Sequence, residues 1–297
     1  MNLYISNFKN YYFKIATLII VMIATYNMAL LVWHPRITTF QSQWIANYSR
    51  AETYLYKNPR PKVIIVGSSM SARLHDDKLD GDVHNMSFGA GSVLTGLEII
   101  KRSEYMPKLI CVETNIIERG ANEGMIKSLF TPVVWRMKKH LIVLQYTYQP
   151  MNIVLTLVNS RFGQQYEEQK NEKPNEGVFK VEIARHLEAE GRVDGLNNSK
   201  EICEIKELIE YFCSRGVKVM FFQMPVYKDI ASSERYLQRK KILGLAFNDM
   251  NVEWSQAGND CGGKYLTADG IHLTPRSAGE FTKELNHTIE EMLRKTR

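Results

Sequence analysis

At 297 residues, with 44% hydrophobic and 24% charged positions, the chain has the make-up of a globular protein holding one substantial core plus appended segments. Its formal charge of +6 is mild for this length and spread along the sequence, and neither zinc-finger spacing nor an RNA-binding aromatic motif occurs. That pattern argues against nucleic acid as a partner and favours an anionic surface such as a membrane.

Residues 15–33, IATLIIVMIATYNMALLVW, carry no charge and are long enough at helical rise to cross a hydrocarbon core of about 30 Å. We expect residues 1–36 to form a short cytoplasmic N-terminus and a single transmembrane anchor. Lys9 and Lys14 precede the run closely, whereas Arg36 and Arg50 are the basic residues soon after it, which puts the body outside the cytoplasm. Residues 37–60 read as a stalk helix with apolar and aromatic positions at near-helical spacing, ended by Pro59 and Pro61.

From residue 61 to 297 strands and helices alternate. Val63–Val66 is a continuous apolar run, as in a strand covered on both faces, and it ends in Gly67-Ser68-Ser69. Val83–Phe88 and Leu109–Val112 are the next strands, with Val93, Leu97 and Ile100 marking the helix between them. After an insert at about 118–197, Asn198 and Glu201 form a capping box for a helix carrying Ile202, Ile205, Ile209 and Phe212, which stops at Gly216 before the strand Val217–Phe222. Thr274-Pro275 opens a last helix with Ala278, Phe281, Leu285, Ile289 and Met292 as its stripe. The order predicts an α/β fold, a three-layer parallel sheet.

Within the insert, residues 135–158 are basic at first and then largely apolar, but Gln145, Gln149, Pro150 and Asn152 disfavour a second span. The segment reads equally as an interfacial or partner-binding element and as an extra pair of core helices about Pro150. Residues 164–177, rich in Gln, Glu, Lys and Asn, read as a solvated loop.

The cysteines show no C-x-x-C pair and no metal-ligand spacing with histidine, so neither a metal nor a cofactor is expected. Cys203 and Cys213, ten residues apart on one helix, lie about 15 Å apart and cannot bridge; a Cys213–Cys261 bond is left open. GNDCGGK at 258–264 has the spacing of a phosphate-binding loop, but Tyr265 stands where Ser or Thr is needed.

A serine at a strand-to-helix turn faces backbone N–H groups and is placed as a nucleophile. Asp269 and His272, three residues apart before the last helix, can supply the base and the carboxylate that orients it. Oxyanion donors are available at two other strand ends, from the glycine turn after Asn85-Met86-Ser87-Phe88 and from the Asn115 amide. His34, His75, His84, His140, His186 and His287 have no comparable setting and read as boundary, surface or helix-face residues.

Taken in order, GSS, NMSFGAGS, VETN and DGIH resemble the four blocks of the SGNH (GDSL-like) hydrolase superfamily over most of residues 61–294 outside the insert. The resemblance implies a flavodoxin-like sheet, Ser69 as nucleophile and first oxyanion donor, Gly89 or Gly91 as the second, Asn115 as the third, His272 as base and Asp269 as its orienter. Gly-Ser-Ser replaces the usual Gly-Asp-Ser, which keeps Ser68 and Ser71 as alternative nucleophiles, and Asn115 lacks the usual preceding Gly-Gly. Anchor plus body is similar to bacterial proteins that acylate envelope polysaccharides beside a multi-span membrane acyltransferase. The expectation is therefore O-acyl, chiefly acetyl, transfer to or removal from an envelope glycan. A catalytically silent glycan- or partner-binding protein and a lipid-directed esterase are the other two readings.

Overall fold

The computed structural model describes residues 2–103, 105–162, 176–189, 199–258 and 263–294, with side chains from residue 10 onward. The solvated-loop expectation for 164–177 falls almost wholly outside these residues, as do Asn198, Cys261 and most of the 258–264 motif.

Five strands form one parallel sheet: β1 Val63–Val66, β2 Val83–Asn85, β3 Leu109–Glu113, β4 Lys218–Phe222 and β5 Glu253–Trp254, in the order β2-β1-β3-β4-β5. The register runs Val63 opposite both Val83 and Leu109, and Leu109 opposite Lys218. Period-two alternation sorts the buried strand residues into two cores. Ile64, Val66, Ile110, Val112, Val219 and Phe221 face one, and Val63, Ile65, Leu109, Cys111, Met220 and Phe222 the other. At β1 and β3 neither face meets water, which is why those runs are apolar on both faces rather than alternating.

The first core is covered by α2 (Gln43–Tyr56), α3 (Val93–Arg102), α4 (Glu123–Leu129) and α8 (Lys200–Cys213). The second is covered by α11 (Pro275–Arg294), whose Ala278, Phe281, Leu285, Ile289 and Met292 are all buried as the spacing predicts. The remaining helices are α1 (Asn2–Trp33), α5 (Pro132–Lys138), α6 (Pro150–Phe162), α7 (Glu176–Ala189), α9 (Lys228–Ala231) and α10 (Glu234–Ala246). The cap of α8 is Ser199, whose Oγ accepts from Ile202 N at 3.3 Å, one residue later than the expected Asn198. β5 is two residues long and exposed, and has no apolar pattern to announce it.

Within α1, residues 10–33 form a 24-residue apolar stretch, about 36 Å at helical rise and long enough to cross a bilayer. The stalk expectation for 37–60 gives way. Ser42 caps α2, and Tyr48, Ala51, Tyr54 and Leu55 are buried in the first core, so this helix is part of the body. Its aromatic spacing marked a packing face rather than a free-standing rod. Glu52, fully buried, accepts from Lys138 Nζ at 2.5 Å and from Tyr146 N at 2.6 Å, while the ammonium lies 4.4 Å from the Tyr146 ring. Burial raises the Glu52 carboxyl above its ordinary value, and Lys138 and the Tyr146 amide oppose the rise.

Residues 135–158 resolve into the end of α5, two short 3-10 turns and the start of α6. Asn152 is buried and holds this segment to α2's approach, its Oδ1 accepting from Gln41 N at 3.2 Å. Thr38 N and Thr39 N both donate to Thr156 Oγ1, and Tyr26 OH donates to Tyr148 O at 2.8 Å. The insert thus ties the end of α1 to the body. Met151, Val154, Leu157 and Val158 stay exposed on α6.

Candidate active site

In a 2-1-3-4-5 parallel sheet the strand order reverses between β1 and β3, and ligands bind beyond the carboxyl ends of the strands at that point. Ser69 follows the end of β1 there. Its turn is fastened from β3: the buried Glu113 carboxyl accepts from Ser68 N at 2.8 Å, Ser68 Oγ at 2.7 Å and Ser71 N at 3.2 Å, and Ser71 Oγ also bonds it. A Cβ at position 67 would run into Ser71 Oγ and the Glu113 side chain, so only glycine admits this close approach. Ser68 and Ser71, the alternative nucleophiles, are buried and committed to Glu113. Ser69 is the hydroxyl left over.

The second part comes from the loop before α11. Thr267 and Leu273 pair as an antiparallel bridge, Ala268 N donates to His272 O at 2.7 Å, and Tyr227 N donates to Gly270 O at 2.7 Å. Gly270, at φ +97°, takes the corner a side chain would strain. Asp269 then folds back on its own loop: Oδ1 accepts from His272 N at 2.8 Å and Ile271 N at 3.2 Å, and Oδ2 from His272 Nδ1 at 2.7 Å. Burial alone would raise the Asp269 carboxyl, but hydrogen bonds from the His272 ring and backbone, with the ring's charge and the Ile271 amide, hold it well below the ordinary carboxylate range.

A carboxylate only accepts, so Nδ1 carries the ring proton and Nε2 is left with its lone pair. Ser69 Oγ lies 2.9 Å from that Nε2 across 203 residues of chain. The hydroxyl donates to the ring, which is the arrangement needed for His272 to withdraw its proton. Ser69, His272 and Asp269 are therefore brought together.

The oxyanion side differs from expectation. Among the described residues the Ser69 N–H donates to no group. The Gly89 N–H instead donates to Asn47 Oδ1 at 3.0 Å, while Asn47 Nδ2 donates back to Gly89 O at 2.9 Å. The Gly91 N–H closes the turn on Phe88 O at 2.9 Å. Asn115 is buried and clasps the other strand end, Nδ2 donating to Met224 O at 2.9 Å and Oδ1 accepting from Met224 N at 2.7 Å. It does not line the cleft.

That cleft has a volume of about 590 Å³ and is lined by Ser69 and His272, by Gly89 and Ala90, and by Gln43, Asn47 and Arg50 of α2. None of residues 141–158 lines it. Arg50 joins the two turns, donating to Ala72 O and to Ser87 O at 2.7 Å each. His84, read as a surface residue, supports Arg50 O from β2 at 2.9 Å, and burial lowers its pKa to about 4. No group of histidine, cysteine or acidic residues among the described residues could hold a metal. Cys213 is a free thiol whose Sγ lies 3.6 Å from Asn251 O.

Sequence reading missed Glu113, Asn47, Arg50 and His84. Only Glu113 left a trace, as an acid ending an apolar strand with serines where Gly-Asp-Ser would carry its own carboxylate.

No protein-family model matches the chain, and no curated protein does. Three solved structures are similar to it. A protein assigned as an acylhydrolase from Bacteroides fragilis is 11% identical, with 87% of this chain and 99% of that one covered and a TM-score of 0.43. A GDSL-like lipase from Bacteroides thetaiotaomicron is 11% identical, covering 85% and 100%, with a TM-score of 0.42. TesA is 12% identical, covering 77% and 98%, with a TM-score of 0.39.

Proposed function

We propose that the chain is an SGNH-type serine enzyme that moves or removes an ester-linked acyl group through an acyl-Ser69 intermediate. The observation that carries this reading is the continuous relay from Ser69 Oγ to His272 Nε2 and from His272 Nδ1 to Asp269 Oδ2, at 2.9 and 2.7 Å. His272 takes the Ser69 proton as Oγ attacks the ester carbonyl, and the Ser69 N–H faces the oxyanion that forms. Collapse expels the alcohol, which receives the proton from His272. A second hydroxyl, from water or an acceptor sugar, then gives its proton to His272 as it attacks the acyl carbon; the bond to Ser69 Oγ breaks and Ser69 takes the proton back from His272.

On this reading α1 anchors the chain in the cytoplasmic membrane with the body outside, and the substrate is an envelope polysaccharide carrying acetyl or a similar small group. A multi-span membrane acyltransferase is the partner that would supply acyl groups. Support comes from the length and apolarity of residues 10–33 and from a cleft wall built by α2, which begins ten residues after α1 ends. The lipid-directed alternative rests on the same anchor and on the apolar segment 141–158, and it keeps only the first of these, since residues 141–158 do not line the cleft. A silent binder would have no use for an aligned base and orienting carboxylate.

The test is fluorophosphonate labelling and 4-nitrophenyl acetate turnover by the full chain in detergent micelles. Labelling and turnover should fall by about 10³-fold or more in Ser69→Ala. Equal rates in wild type and Ser69→Ala would end the proposal.

A further inference from the structure

We infer that the substrate carries an anionic group, a carboxylate or a phosphate, next to its ester, and that Arg73 and Arg119 hold it. This rests on the Ser69 reading of the site. Among the described residues the charged side chains lining the cleft are Arg50, Arg73 and Arg119, and no aspartate or glutamate lines it.

The three arginines are not equivalent. Arg50 is spent on the backbone, bonding Ser87 O and Ala72 O, with Asp76 as its counter-charge. Arg119 uses one N–H on Gly91 O at 3.0 Å, and its remaining donors have no partner among the described residues. The Arg73 guanidinium makes no hydrogen bond or ion pair among the described residues; Asp269, the acid that acts on it electrostatically, has its oxygens engaged by His272 and Ile271. Some arginines elsewhere pair with acids, as in Arg239 with Glu118, Arg102 with Glu98 and Arg276 with Glu280, while others among the described residues, such as Arg136 and Arg215, do not. What sets Arg73 and Arg119 apart is their place, on the serine turn and beside the glycine turn, lining the cleft that holds Ser69.

A guanidinium fork matches a carboxylate or phosphate in two parallel hydrogen bonds, and a cleft of one sign gathers the opposite sign from solution. A neutral glycan or acyl chain would leave both forks to water. Anchored on them, an anion would place the neighbouring ester against Ser69 Oγ. The recognition chemistry is shared by uronate-like and phosphate-bearing polymers.

The experiment compares three acetyl esters on the full chain in neutral-detergent micelles: 4-acetoxybenzoate, 4-acetoxyphenyl phosphate and the neutral 4-acetoxybenzamide. At low salt kcat/KM for at least one anionic ester should exceed that for the amide about tenfold or more, with the advantage in KM and shrinking as salt rises. Whichever anionic ester leads identifies carboxylate or phosphate. Arg73→Gln combined with Arg119→Gln should erase the advantage, the two Arg→Lys variants should restore part of it, and Lys218→Gln, at the opposite end of the sheet, should leave it. An amide turned over as well as both anions, in a Ser69-dependent manner, overturns this inference and leaves the enzyme reading standing. If no ester is turned over, the enzyme reading fails and the anion site is decided by ligand-observed NMR titration with 4-hydroxybenzoate, phenyl phosphate and 4-hydroxybenzamide. A preference for an anion that vanishes in the double Gln variant sustains the site, and equal binding of all three refutes it.

Discussion

The two turns that meet at the cleft are held by different parts of the molecule. The serine turn is fastened inside the sheet: Glu113, at the end of β3, gathers the Ser68 and Ser71 donors in a fully buried setting. The glycine turn is fastened from outside the sheet, by Asn47 and Arg50 of α2, the helix that follows the apolar N-terminal segment. Ser69 and His272 are thus set by the sheet and the loop before α11, whereas the shape of the glycine turn depends on α2, a helix packed over one face of the sheet. Pre-organised groups contribute most to catalysis when fixed by rigid elements, so the serine half should dominate the chemistry and the glycine half should tune it.

Four changes would break or sharpen that contrast. Asp269→Asn, which removes the acceptor for His272 Nδ1 and permits the wrong tautomer, should lower turnover of an activated acetyl ester by about 10³- to 10⁴-fold. The same variant should lose acid-side behaviour. Because the folded Asp269 is held below the ordinary carboxylate value, it stabilises the fold above about pH 4 and that contribution fades as pH falls further; urea titrations at pH 3 and 5 should therefore differ less in the variant.

Glu113→Gln comes next. It swaps an acceptor of several donors for an amide that must point hydrogens at some of them, and a buried mismatch of this kind costs on the order of 3 kcal/mol. Thermal unfolding should shift down by several degrees, and fluorophosphonate labelling of Ser69 should slow more than tenfold. Labelling at the wild-type rate would show that the turn holds its shape without β3.

The third change is acidification. His84 is neutral in the fold with its pKa near 4, whereas the unfolded residue titrates near its ordinary value of 6.5. Between those values the unfolded chain binds more protons, so stability present above about pH 6.5 should be lost as pH falls toward 4. Chemical denaturation across that window should show the slope, and His84→Asn should flatten it.

The smallest effect is expected from Asn47→Ala. It frees the Gly89 N–H and removes two hydrogen bonds of about 1 kcal/mol each. Ester turnover should change less than tenfold. A larger loss than that of Glu113→Gln would reverse the ranking of the two halves.

The unequal legibility of these parts follows from chain separation. Asp269 and His272 are three residues apart and announce themselves beside a well-capped helix, and Ser69 stands where an apolar run breaks into a turn. Asn47 meets Gly89 across 42 residues and Glu113 meets Ser68 across 45, with nothing local to mark either pairing. The aromatic spacing of α2 was visible, but a buried face and an exposed stalk face look alike until a partner surface is known. Asn115 shows the converse: its residue type and place fit a donor, yet its amide joins the carboxyl ends of β3 and β4 through Met224. β5, two exposed residues long, carries too few positions for any period to appear.

The connection between α1 and α2 is short. From Trp33 to Gln43, the first of the cleft-lining residues, there are ten residues, at most about 35 Å if pulled straight, and bonds from Thr38, Thr39 and Gln41 to α6 take up part of that slack. With α1 in a bilayer, as proposed, the cleft is confined to a thin layer beside the lipid and cannot patrol the surrounding volume. Polymers still tethered to the membrane would meet it at high effective concentration, and the same chain once released would meet it rarely. A leash of this length would therefore act as a clock, restricting modification to the period before the polymer leaves the membrane.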